Sequence, residues 1–253
     1  MESLDQRWER LSPHVAEYGP DDGPDDVPDN GEPRPAVLLF HGCGGLRAHL
    51  DAYARAAVEQ GWRAFVIDSY APRGWSRSFA LSFVCTGVFL RGSERAGDVL
   101  AALHGISARA DVRSDQIALA GWSHGGWSIM ELMSAELSRP SNVGLREADE
   151  TLLDRVRGVF LAYAYLGPGA HAGRRWSRCP KVMALLPEHD HLTTPRHTRA
   201  VFDRITGCGV EVEQVALAAT HAFDEPEATL PMRHDPVLMA EAIGHFRRFL
   251  GGL

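Results

Sequence analysis

From residue 36 to the end of the chain, short, uniformly apolar runs alternate with longer stretches of helical spacing. The first run, Ala36-Val37-Leu38-Leu39-Phe40, has no polar position on either face, the pattern of a strand covered on both sides of a parallel sheet. Residues 46–60 place Leu46, Leu50, Tyr53, Ala54, Ala57 and Val58 at helical intervals, with Gly61 as the cap that stops the helix. Further strands are predicted over 62–67, 116–120, 156–163, 181–186 and 210–217. Helices are predicted over 94–106, 127–137, 194–205 and 236–250, with Pro195 in the first turn of its helix. Residues 75–92 mix aromatics and Cys85 with Gly and Ser, and read as either a loop over a pocket or a short helix; residues 140–155 are polar and offer a place for a lid. Such alternation, without repeat period or second composition regime, predicts an α/β fold with a mostly parallel, doubly wound central sheet flanked by helices. Ligands on such sheets gather at the carboxyl ends of the strands.

Residues 19–35 are acidic and rich in Pro and Gly, so they can bury little and cannot propagate helix or central strand. The reading is an N-terminal extension with an acidic loop over 1–34, then a single domain over 35–253. Residues 12–18 form either an edge strand or part of a dispensable extension. The chain of 253 residues is 45% hydrophobic, enough for a sizeable core, and its net charge of −7 comes without a basic cluster. Nucleic acid and anionic membrane surfaces are therefore not expected as partners. The four cysteines show neither CxxC nor Cys/His zinc spacing, so reduced thiols and no metal are expected. With a charged N-terminus lacking an apolar segment, this predicts a cytoplasmic protein.

One junction carries chemistry. Gln116 to Ala120 runs into Gly121-Trp122-Ser123-His124-Gly125-Gly126 and then a helix, the strand, turn and helix order of a nucleophile elbow. The glycines are needed where strand and helix approach closely around a strained serine. Ser123 is the expected nucleophile. A serine hydroxyl needs a histidine base, and the histidine a carboxylate that fixes its tautomer; on this fold they follow in the order Ser, Asp or Glu, His. His221 follows the last predicted strand and precedes the last helix, which makes it the best base among twelve histidines. For the acid, Asp190 is preferred to Glu188 because it sits in the turn before the helix opened by Thr194-Pro195. The oxyanion would be held by backbone N–H groups of His124 and of Cys43, within His41-Gly42-Cys43-Gly44-Gly45. Arg73, Phe83, Cys85, Trp122, Tyr165, Trp176 and Phe223 lie near predicted strand ends and are candidate pocket residues, although Arg73 also reads as a structural partner of Asp68.

The segments Phe40-His41-Gly42-Cys43-Gly44-Gly45, Asp68-Ser69-Tyr70-Ala71-Pro72-Arg73-Gly74 and Gly121 to Gly126, with Asp190 and His221-Ala222-Phe223, together resemble the dienelactone hydrolase family of α/β-hydrolases. The resemblance covers about residues 35–250. It implies the α/β-hydrolase fold, no cofactor, and hydrolysis of a small-molecule ester or lactone through an acyl-enzyme. The family's nucleophile is a cysteine, whereas Ser123 stands at that position here, so the resemblance points to a serine esterase on the same scaffold. An exopeptidase, a thioesterase, or an idle hydrolase fold used as a binding module are the alternatives, and a homodimer is compatible with any of them.

Overall fold

The computed structural model describes residues 1–20, 31–85, 88–171 and 174–253. Most of the acidic loop, residues 21–30, thus lies outside the described residues. The seven strands are β1 (Val15–Tyr18), β2 (Arg34–Phe40), β3 (Arg63–Ile67), β4 (Val112–Trp122), β5 (Val156–Ala162), β6 (Lys181–His189) and β7 (Val212–Thr220). They form one sheet in the order β1-β3-β2-β4-β5-β6-β7, in which only the β1 pairing is antiparallel. The helices are α1 (Leu4–Leu11), α2 (Ala48–Glu59), the single turn α3 (Arg77–Phe79), α4 (Gly92–Ser107), α5 (His124–Ser134), α6 (Pro195–Gly207) and α7 (Pro236–Gly251).

The apolar runs of the sequence have their explanation in two cores, one on each face of the sheet. Side chains alternate along a strand, so Leu38 and Phe40 of β2 join the cluster under α1, α4, α5 and α6, whereas Val37 and Leu39 join that under α2 and α7. Both faces are buried, so the covered stretches Ala36–Phe40 of β2, Ile117–Trp122 of β4 and Gly158–Ala162 of β5 carry no polar side chain. The mostly parallel, doubly wound sheet predicted from the alternation is therefore the one observed.

Two regions depart from the sequence reading. Helix α1, absent from the prediction, sets Leu4, Trp8 and Leu11 at helical spacing on one face; Ser3 caps it in a reciprocal pair with Gln6, and Leu4, Arg7 and Leu11 are buried on the domain. Residues 15–18 are the edge strand, in register with β3 from Val15 opposite Ile67 to Tyr18 opposite Ala64. Residues 140–155 make two short 3₁₀ turns that bury Val143, Leu152 and Leu153 and pack on α4. The wall beside Ser123 comes instead from Val84, at the end of the π-type stretch Ala80–Val84 that continues α3, and from Cys85 after it.

A buried charge network joins the motifs of the first half. Asp98 of α4, wholly buried, accepts from Arg73 at 2.8 and 2.9 Å and from Arg7 at 2.7 Å. Arg95, one turn earlier and also wholly buried, donates to Ser69 Oγ (2.9 Å) and to the His41 carbonyl (2.8 Å). The His41 and Arg73 motifs thus belong together because α4 binds both. Arg73 is consequently a structural residue whose partner is Asp98, and Asp68 caps the turn by accepting from the amides of Tyr70 and Ala71.

Candidate active site

Three strand ends deliver the candidate groups. β4 ends in a turn so tight that a Cβ on Gly125 would stand 2.0 Å from the Phe40 carbonyl oxygen, and one on Gly121 2.6 Å from the Gly126 nitrogen. Only glycine fits either position. Between them Ser123 adopts φ 48° and ψ −109°, a strained conformation that presents its side chain at the top of the sheet. The loop after β7 brings His221, and the turn after β6 brings Asp190.

These three side chains form one hydrogen-bonded chain. Ser123 Oγ lies 2.8 Å from His221 Nε2, and His221 Nδ1 lies 2.7 Å from Asp190 Oδ2. With Nδ1–H donating to the carboxylate, Nε2 is left bare to accept the serine proton. Asp190 Oδ1 accepts from the amides of Leu192 (2.7 Å) and Thr193 (3.3 Å), which aims the carboxylate. Burial works to raise the Asp190 pKa, but the bond to His221 and the two amides outweigh it and hold the carboxyl below the usual range. Tyr163 packs edge-on against the His221 ring at 4.8 Å and limits its rotation. Glu188, the competing acid, is exposed and faces Arg199.

Cys43 and His124, the expected oxyanion donors, line a cavity of about 660 Å³ together with Ser123, Cys85, Trp127, Tyr165 and Leu192. The His124 side chain does not enter the chemistry. Its Nε2 donates to the Leu90 carbonyl at 2.8 Å and its Nδ1 faces Arg95 at 3.2 Å. Burial, followed by the Arg95 charge, drives its pKa down to about 3, so it stays neutral and anchors the first turn of α5.

The pocket residues read from sequence need correction. Trp122 is fully buried on the opposite face of β4 from the nucleophile, packed among Ala118 and Ala120 with its indole N–H on Asp224 (3.1 Å). Trp176 is 3% exposed and belongs to the core on the α4 side. Arg73 borders a separate groove beside α1. Of the candidates Cys85 and Tyr165 reach the cavity, and Cys85 arrives bonded to Cys43, so the expectation of four reduced thiols is also overturned. Cys179 and Cys208 are free and exposed. No spacing rule links cysteines 42 residues apart.

Sequence reasoning also missed two buried carboxyls that follow His221. Asp224, fully buried, accepts from Tyr53 (2.9 Å), Trp122 (3.1 Å) and Tyr163 (2.5 Å), tying the base loop to the strands behind the elbow. Glu225 stands on the other side, its Oε1 3.7 Å and the Ser123 Cβ 3.6 Å from where a Gly42 Cβ would be, with Arg47 Nε 3.7 Å away. Burial, then the Asp224 charge, raise its pKa to about 7 against the pull of Arg47. A carboxyl raised on folding destabilises as pH climbs from its unfolded value near 4.3 to its folded value, and no further above that. Glu225→Gln is therefore expected to stabilise the protein at pH 8 by up to about 3 kcal/mol, less whatever the Arg47 contact contributes, and to change little at pH 4. Urea midpoints at the two pH values check this; equal shifts at both would contradict it.

The dienelactone hydrolase family model matches residues 25–139, which takes in the His41, Arg73 and Ser123 motifs and stops before Asp190 and His221. Comparison with curated proteins finds no match. Among solved structures, a dienelactone hydrolase-like promiscuous phosphotriesterase from metagenomic libraries superposes with a TM-score of 0.69 at 21% identity, over 89% of this chain and 90% of the other. Esterase 2 of Thermogutta terrifontis gives a TM-score of 0.69 at 15% identity, over 93% of this chain and 86% of the other. The same esterase has been captured phosphonylated by sarin, with a TM-score of 0.68, 14% identity and coverage of 93% and 88%.

Proposed function

Starting from a dienelactone hydrolase-like chain with the α/β-hydrolase fold, we propose that the protein is a serine hydrolase of carboxylic esters or lactones acting through an acyl-enzyme. The observation that carries this reading is the unbroken chain from Ser123 Oγ through His221 to Asp190, at 2.8 and 2.7 Å. Ser123 Oγ attacks the carbonyl carbon while its proton passes to His221 Nε2, and Asp190 stabilises the imidazolium that forms. The charge gathering on the carbonyl oxygen falls to the amides of His124 and Cys43. His221 then protonates the leaving alcohol, and a water deprotonated by the same imidazole releases the acid.

A hydroxyl nucleophile where the family's pattern has a thiol suits linear esters as well as lactones. The cavity agrees in size with a small molecule, with an apolar wall of Val84, Trp127, Tyr165 and Leu192 and a polar rim of Arg91, Ser93 and His171. No described helix is long and apolar enough to cross a membrane. The Cys43–Cys85 disulfide removes the support that reduced cysteines would lend to a cytoplasmic location.

The test is a comparison of matched p-nitrophenyl ester, thioester, amide and lactone substrates. Turnover of the esters or lactones with kcat/KM at least tenfold above the thioester and amide is expected. Amide or thioester preference would replace this reading by that of a peptidase or thioesterase.

A further inference from the structure

In the glycine-rich loop that supplies one oxyanion donor, the Gly45 amide donates to the Gly42 carbonyl at 3.2 Å, a turn that spans Cys43. Cys43 sits between Gly42 and the pair Gly44-Gly45, where the backbone has more freedom than at any other residue type. Gly45 uses that freedom, at φ +82°. A donor amide works only if it is already aimed when the oxyanion appears. The turn leaves the Cys43 carbonyl and side chain to be held from outside the loop.

Two contacts do so. The Tyr70 hydroxyl donates to the Cys43 carbonyl at 3.1 Å, which fixes the peptide that follows it. On the side-chain end, the disulfide to Cys85 fixes the residue itself, with the two Cα atoms 5.1 Å apart. Cys85 is anchored in turn, its amide donating to the Ala80 carbonyl at 3.0 Å, on a segment whose Ala80 and Val84 bury against Tyr70 and Leu90. Both sulfur-bearing residues line the same cavity as Ser123 and His124. Cys85 is on the exposed side, within reach of an attacking thiolate.

We propose that Cys85 is a positioning residue of the esterase, holding the Cys43 amide on the oxyanion through their disulfide, so that thiol reductants lower turnover reversibly. The inference rests on Cys43 being an oxyanion donor in the reading above. Reduction by a dithiol breaks one S–S bond, leaves a thiol on each cysteine and converts the reductant to its cyclic disulfide, a balanced two-electron exchange. Cys179 and Cys208 are already thiols, so the reductant has no bond to break there. Removing an oxyanion donor outright costs about 10²–10³ in kcat, so loosening one is expected to cost about tenfold.

The experiment measures kcat and KM for p-nitrophenyl acetate on the oxidised protein, after dithiothreitol treatment, and after reoxidation, with Cys85→Ser alongside. Thiol titration under denaturing conditions should count two thiols before reduction and four after. Near-UV circular dichroism reports the fold at each stage. The expected result is a kcat about tenfold lower in the reduced protein, KM within about threefold, recovery on reoxidation, and a Cys85→Ser variant that sits at the reduced level whatever the redox state. A kcat unchanged within twofold on full reduction, or activity lost only together with the fold, would overturn the proposal. An oxidised protein that neither turns over esters nor takes up a fluorophosphonate would overturn the esterase reading itself, so the two failures are distinguishable.

Discussion

Ser123→Ala is expected to lower kcat for ester hydrolysis by about 10⁴- to 10⁶-fold while leaving the thermal midpoint within a few degrees of the parent. The magnitude follows from the way the three groups act as a unit. Once Oγ is gone, His221 has no proton to accept and Asp190 no imidazolium to stabilise, and what remains is positioning and the oxyanion amides. For the same reason His221→Ala should cost a comparable factor, and the double substitution should cost no more than the larger single one. Initial rates over a wide enzyme concentration range check this; additive losses in the double variant would mean that serine and histidine work separately. The small stability effect follows from Ser123 making no cap with its side chain at the start of α5.

The largest stability effect is expected at Asp98. This carboxylate is fully buried and answers two arginines, Arg7 of α1 and Arg73 of the turn after β3. Removing one partner of a buried pair leaves the other charge uncompensated, which costs about 3–5 kcal/mol. Asp98→Ala should therefore destabilise by that much at pH 7, read as a drop in the urea midpoint. Burial opposes ionisation of Asp98, but Arg73 and then Arg7 more than offset it, so its pKa lies below the ordinary value. With the folded pKa depressed, the stabilisation is complete above the unfolded value near 3.9 and is lost as pH falls through the folded one. The gap between parent and variant should accordingly narrow only on acidification below about pH 4. A gap that is small at pH 7, or that widens in acid, would show that the network does not hold α1 and the Arg73 turn to α4.

What could be read in the sequence, and what could not, divides by the range of the interactions involved. The central strands were legible because both of their faces are buried, which makes β2 and the end of β4 apolar without interruption. The elbow was legible because close approach of β4 and α5 admits only glycine at 121 and 125, and steric need writes itself locally. Asp190 and His221 could be placed because the fold fixes their chain order and each follows a strand. Helix α1 was missed although Leu4, Trp8 and Leu11 stand at helical spacing, because they are set in a densely charged segment and Arg7 is buried only by meeting an aspartate 91 residues away. The disulfide was equally long-range. Trp122 is the instructive error, since the alternation of Ala118, Ala120 and Trp122 already places all three on the face turned towards α2 and α7. Aromatic character near a strand end suggested a pocket, and strand periodicity would have denied it.

The measurement that bears most directly on the central claim is intact-mass spectrometry after incubation with a fluorophosphonate, on the parent, Ser123→Ala and His221→Ala. A phosphonate that reacts covalently reports a nucleophile that is activated, and the mass shift counts how many there are. The account predicts a single adduct on the parent, none on Ser123→Ala, and markedly slower labelling of His221→Ala. An adduct that survives in Ser123→Ala, or no adduct on well-folded parent protein, would contradict it.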